Sequence, residues 1–134
     1  MATERAVLDG IHHVKIPVTD LVRSREWYER VLGYEVTMEF RDDDGVVRGV
    51  GGQPPGLGEA GLALRQEPGA ATGLSGFDPI AFGVSDRESI DRWVAQLDAE
   101  GVAHSPVIRA RIGWVVSFHD PDGVELRLYS RSLD

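Results

Sequence analysis

Two adjacent histidines, His12 and His13, stand in the stretch LDGIHHVKIPVTD (Leu8 to Asp20), and the far end of the chain carries His119, Glu125, Arg127 and Tyr129. An imidazole near neutral pH is a metal ligand or a general base, a carboxylate is a second kind of ligand, and a guanidinium grips an oxyanion. The chain has four histidines and no cysteine. Disulfides and thiolate sites are therefore excluded, and any metal would rest on His, Asp and Glu. Three chemistries are open: a divalent centre, a metal-free base paired with an oxyanion holder, or a set of ligand-contacting side chains. The direction in which each side chain points decides among them.

Alternation along the strands gives those directions. On the first strand Val14, Ile16 and Val18 form the packing set, which puts His13, Lys15 and Pro17 on the other face and His12 with the packed one. On the last, Val124 to Tyr129, the leucines Leu126 and Leu128 pack, leaving Glu125, Arg127 and Tyr129 on the other face. His119 closes the strand Trp114 to His119 and shares a face with Val115 and Ser117.

The elements that carry these residues repeat. HHVKIPVTD ends at Asp20 and DPIAFGVSD at Asp86, 66 positions on. Each is followed by an amphipathic helix, about Asp20 to Leu32 and about Asp86 to Glu100, ending near Gly33 and Gly101. Ser85 and Glu88 fit a capping box. Tyr34 to Phe40 alternates, with Tyr34, Val36, Met38 and Phe40 on one side. Asp44-Gly45 is a hairpin turn into Val46 to Val50, GGQPPGLGEAG (51–61) is a loop by composition, and Leu62 to Gln66 is a short strand. Val102 to Val107 reads as a strand of the second half, and PGAATGLSG (68–76) as the linker between halves. The chain is thus β-α-β-β-β twice over, one α+β domain across 1–134 with modules at about 8–67 and 77–130 that share a buried surface. Trp27, Tyr28 and Trp93 belong to its core. The run Arg41-Asp42-Asp43-Asp44 is a solvated turn rather than a calcium loop.

A net charge of −8 argues against nucleic acid as a partner. It serves solubility or mildly favours a cationic or neutral ligand. No apolar run is long enough to cross a membrane, and MATERAVLDG lacks the basic and apolar regions of a secretory leader, so the expected location is the cytoplasm.

GIHHVKIPVTD, WYERVLGYEV, PIAFGVSD, LDAEGV and FHDPDGVELRLY, in this order from Gly10 to Tyr129, resemble the vicinal oxygen chelate superfamily. That superfamily includes glyoxalase I, bleomycin-resistance proteins, fosfomycin-resistance enzymes and extradiol dioxygenases. The resemblance implies paired βαβββ modules forming curved mixed sheets around a cavity, and a homodimer. In metal-dependent members it also implies a His on the first strand, a His on the strand opening the second module, and a Glu on the last strand.

His13 matches the first of these positions. The repeat maps it onto Pro79, and four residues after Gly123, where the family Glu belongs, stands Arg127. One ligand of three survives, so no cofactor is expected; a rebuilt divalent site of His13, His119 and Glu125 is the alternative. Asp78 lies on the opposite face if its strand is regular. A metal-free cavity would be lined by His13, Lys15, Ala81, Ser117, His119, Glu125, Arg127 and Tyr129, with Trp114 near its mouth, either stacking on a flat ligand or packing. Arg127 would pair with Glu125 or grip a ligand oxyanion. Two readings follow, beside a third and blander one of an interaction subunit with a closed cavity. One is a metal-independent binding protein of the bleomycin-resistance type, sequestering an antibiotic or metabolite. The other is a lyase, isomerase or dioxygenase, either metal-dependent with displaced ligands or metal-free with His13 as base and Arg127 as oxyanion holder.

Overall fold

A computed structural model describes residues 4–134. The first half contains β1 (His13–Val18), α1 (Leu21–Leu32), β2 (Glu35–Arg41), β3 (Val47–Gln53) and β4 (Gly61–Gln66). The second half contains β5 (Ile80–Val84), α3 (Arg87–Ala99), β6 (Ile108–Arg109), β7 (Trp114–His119) and β8 (Glu125–Ser130), with α2 (Pro68–Leu74) between the halves. The first strand of each half runs parallel to its last, giving two four-stranded sheets of the same order, β1-β4-β3-β2 and β5-β8-β7-β6. The sequence repeat is therefore a repeat of topology. The fold is α+β with mixed sheets.

Each helix starts where an aspartate can accept from its first free amides. Asp20 caps α1 through the Arg23 amide, and Asp86 caps α3 through the Ser89 amide at 3.0 Å. Asp86 thus takes the role expected of Ser85. Gly33 ends α1 in the left-handed conformation, φ 71°, which a residue without Cβ adopts freely.

Both helices cover the same side of their sheets. Ile16, Val18, Leu62, Leu64 and Val50 on one sheet, and Val116, Phe118, Leu126 and Leu128 on the other, join Tyr28, Val31, Ile90 and Leu97 in one buried cluster. Burying each such side chain stabilises the fold by roughly 1.5–3 kcal/mol. Helix α1 is the joint between halves: the Trp27 and Phe118 rings lie 6.2 Å apart, and the Gln96 amide donates to the Val31 carbonyl at 3.0 Å. With the helices on one side, the opposite face of each sheet is left uncovered by the chain.

Several local expectations are corrected. The linker 68–76 contains a helix, α2, started by Pro68 at its first turn and held by buried Ala71. The strand expected at 102–107 is replaced by one bridge, His104 to Phe118, and the short β6 follows Pro106, which has no amide to give a ladder. Residues 51–53, assigned to a loop by composition, continue β3.

The course of β2 bears on function. Simple alternation puts Met38 and Phe40 on the same side as Tyr34 and Val36. Pairing runs Val36 to Gly52 but Met38 to Gly51, so Thr37 is an extra residue in a bulge. One inserted residue turns every following side chain over. Tyr34 is buried, whereas Met38 and Phe40 are 55% and 52% exposed on the uncovered face.

Candidate functional site

The uncovered face of the first sheet forms a cleft of about 930 Å³. Its floor follows from register. Lys15 pairs with Ala63, Ala63 with Gly51, and Gly51 with Met38, so these four form one row across the sheet. The next row is Pro17, Arg65, Gly49 and Phe40. Cross-strand partners share a face, and between Lys15 and Met38 nothing rises higher than a methyl group. His13 stands beside Gly61 at one end. The small residues make the cleft; Lys15 and His13 bound it on one side, Met38 and Phe40 on the other.

His13 and Lys15 are thus placed where strand alternation puts them. His12 is not: it lies exposed just before β1 and lines the cleft, because the ladder that imposes alternation begins only at His13. Its Nδ1 is 3.0 Å from that of His13. One ring must donate from Nδ1 and the other accept there, so the accepting ring carries its proton on Nε2. Lys15 forms no ion pair among the described residues, whereas Arg48 is held by Asp42 at 3.0 Å and Arg65 by Glu67 at 3.2 Å. Asp42 also accepts from the amides of Val46 and Asp44, and the Val46 bond, then that from Arg48, hold its carboxyl below the ordinary carboxylate range. The run 41–44 is a self-capped turn at the cleft's edge.

The other expected site residues lie on the second sheet and do not line this cleft. Ser117 pairs with Arg127, and Arg127 with Ala81; His119 pairs with Glu125, and Val115 with Tyr129. Arg127 is tied by two nitrogens to Glu125 at 2.8 Å and by a third to Asp78 at 3.3 Å, bonds that hold its proton more firmly still. Asp78 reaches it because the regular strand starts only at Ile80, so alternation does not fix its side. Trp114 is on the helix side of β7, with the Arg87 guanidinium 4.5 Å over its ring and its indole N–H donating to Leu133. Its face is occupied from within the chain. His119 is 3.8 Å from Glu125 and borders a smaller polar depression of about 500 Å³ beside Trp27.

At the three positions where the resemblance implies metal ligands, the chain carries His13, Pro79 and Arg127. Proline has no side-chain lone pair, and a guanidinium has only N–H donors and none to give a metal. These residues do not fit a divalent ion. Within one chain His13 is separated by its sheet from His119 and Glu125. Among the described residues no group of three or more His, Asp or Glu side chains is gathered as a metal site would require. For the same reason Arg127 cannot serve a base at His13 within one chain.

Missed by sequence reasoning were the bulge-inverted pair Met38 and Phe40 and the small-residue floor at Gly49, Gly51, Gly61 and Ala63. The glycine-rich composition of β3 was the available signal, and it pointed equally to a loop.

Paired βαβββ modules, with helices on one side and a cleft on the bare face of a mixed sheet, define a protein of the vicinal oxygen chelate class. The chain belongs to the Glyoxalase/Bleomycin resistance protein/Dioxygenase superfamily, whose family model matches residues 10–128. Among solved structures it is similar to TnmS3, an antibiotic-binding protein from a Streptomyces strain, at 21% identity over 96% of this chain and 100% of that one, TM-score 0.76. It is also similar to a glyoxylase/bleomycin resistance protein/dioxygenase domain from a Frankia strain, at 25% identity over 93% and 99%, TM-score 0.74. The fosfomycin resistance protein FosX of Listeria monocytogenes, solved with Mn(II) and a dihydroxypropylphosphonic acid, is 19% identical over 92% and 93%, TM-score 0.70. No curated protein matches the chain.

Proposed function

We propose that this protein is a metal-independent small-molecule-binding protein that sequesters a bulky metabolite or antibiotic in the cytoplasm. The observation that carries this reading is the cleft itself: some 930 Å³ of space over a floor of glycine and alanine, in the volume range of small-molecule sites. The donor set at the superfamily's metal positions supports the metal-free part, since Pro79 and Arg127 offer no ligand. The resemblance to an antibiotic-binding protein, TnmS3, supports the sequestering part.

The protein works as a homodimer in this reading. The bare face of the second sheet, turned away from the shared core, is the surface that a second copy would cover. Sedimentation equilibrium at micromolar concentration tests this; a monomer throughout overturns it.

Elemental analysis of protein purified without chelator or added metal, with titration by Zn(II), Mn(II) and Ni(II), tests metal independence. Substoichiometric metal and no change on His13→Ala are expected. Stoichiometric divalent metal that is lost in His13→Ala overturns it.

A further inference from the structure

Glycine 51 is not explained by the fold. It lies within β3 and its φ is not positive. A Cβ built there would point into the cleft, meeting only the Phe40 ring at 3.5 Å and the Met38 Cβ at 3.9 Å, both ordinary contacts. Gly52, one residue on, is the contrast: a Cβ there would run into the backbone carbonyl of Glu35, so the bulge demands glycine. Strand interiors disfavour glycine because it has no side chain to pack and loses the most chain entropy. A glycine that the backbone does not need, on the floor of a cleft, marks space kept for something else.

The shape of that space follows from the sheet. From Lys15 across Ala63 and Gly51 to Met38 is three interstrand steps, roughly 14 Å. The floor is flat and low over that span, with Phe40 and Met38 forming an apolar wall at one end and an unpaired ammonium at the other. Each arginine of the cleft has a carboxylate partner: Arg48 has Asp42 at 3.0 Å, Arg65 has Glu67 at 3.2 Å and Arg41 has Glu39 at 3.9 Å. Lys15 is the cation of the lining that has no such partner among the described residues.

From this geometry we infer that the cleft takes a flat fused-ring acid, its rings lying over Gly51 and Ala63 against Phe40 and its carboxylate or phenolate on Lys15. Gly51 and Lys15 are then the specificity-determining residues, one for ring thickness and one for charge. This rests on the binding reading above and names its ligand class. It also reverses the expectation, drawn from bulk charge, of a cationic or neutral ligand: the Lys15 ammonium, free of an ion pair among the described residues, is in direct reach of a bound ligand, whereas exposed charges farther away than a Debye length of about 8 Å are screened.

Anthracene-2-carboxylate and its primary amide are suitable probes, their binding followed by fluorescence anisotropy. The acid should bind about tenfold more tightly than the amide, the effect of one charge-assisted hydrogen bond. Lys15→Gln should erase that difference and Lys15→Arg restore part of it. Gly51→Leu should weaken acid and amide alike by about tenfold or more with unchanged circular dichroism, and Gly51→Ala by less. Equal binding of acid and amide, untouched by Lys15→Gln, overturns the acid class while leaving a binding cleft. Acid-selective binding that Gly51→Leu leaves unchanged overturns the assignment of the ring to this floor. Binding of neither probe to the wild-type protein overturns the ligand class. If a wider panel of neutral and cationic ring compounds also fails, the binding reading falls with it.

Discussion

The Tyr28 hydroxyl donates to the Asp120 carboxylate at 2.8 Å, and that bond ties the helix of the first half to a turn of the second, 92 residues away. Asp120 is buried, and its other oxygen accepts from the amides of Asp122 and Val124, closing the turn that feeds β8. One side chain thus holds both a local turn and the joint between modules. Asp120→Ala leaves two amides and a buried phenol without partners and should destabilise the protein by about 2–4 kcal/mol, against about 1–2 for Tyr28→Phe. Urea denaturation measures both. A double mutant whose loss equals the sum of the two would show that the bond does not couple them.

Burial pushes the Asp120 carboxyl above its ordinary range, outweighing the hydrogen bonds that act in the opposite sense. An acid whose folded pKa is raised holds a proton in the folded state over a pH window where the unfolded chain has lost it. Its contribution therefore declines as pH rises from the unfolded value, near 4, through the folded one. Asp120→Asn keeps two acceptor positions and can donate to the tyrosine oxygen. Its stability relative to wild type should rise across that window and then level off. A difference independent of pH between 3.5 and 7 would contradict the account.

His104 places Nδ1 2.7 Å from the Ser105 carbonyl and Nε2 2.7 Å from Asp98. Both partners only accept, so both ring nitrogens must carry protons, and the imidazolium is favoured. These bonds raise its pKa, the Ser105 carbonyl contributing most and Asp98 next. The raised value means that the stabilisation is full below the unfolded pKa, near 6.5, and fades as pH climbs through the folded one. His104→Gln should lower stability by roughly 0.5–1 kcal/mol at pH 5.5 and by less at pH 9, because Asp98 is exposed and the pair is screened. Melting curves at the two pH values decide it.

Strand alternation was sufficient to place His13, Lys15, Leu126 and Leu128, because a regular ladder enforces a two-residue period and each face is labelled by its neighbours. It failed where the ladder breaks. His12 lies before the strand begins, Asp78 before β5 begins, and Met38 and Phe40 follow a bulge that depends on how β2 meets β3, a pairing no local pattern encodes. The repeat was legible in the pattern of apolar residues and caps. What it left open was how the halves meet: packing through α1 sends His13 and Arg127 to faces of different sheets, and only the helix–sheet contacts of Trp27 and Tyr28 reveal this.

The two neighbouring glycines of β3 separate the demands of fold and site. At Gly52 an added methyl group overlaps the Glu35 carbonyl across the bulge, so Gly52→Ala must push β2 and β3 apart. The residues displaced include Tyr34, whose hydroxyl donates to the Leu62 carbonyl at 2.6 Å inside the core. A loss of about 3 kcal/mol or more is expected, in the range of severe overpacking. Gly51→Ala places the same methyl group against Phe40 at ordinary contact distance and restricts the unfolded chain, so it should leave stability unchanged or raise it by about 0.5 kcal/mol. Parallel thermal melts of the two variants test the pair. Equal destabilisation by both would mean that Gly51 is held by the backbone after all, and would remove the argument that its missing side chain is room for a ligand.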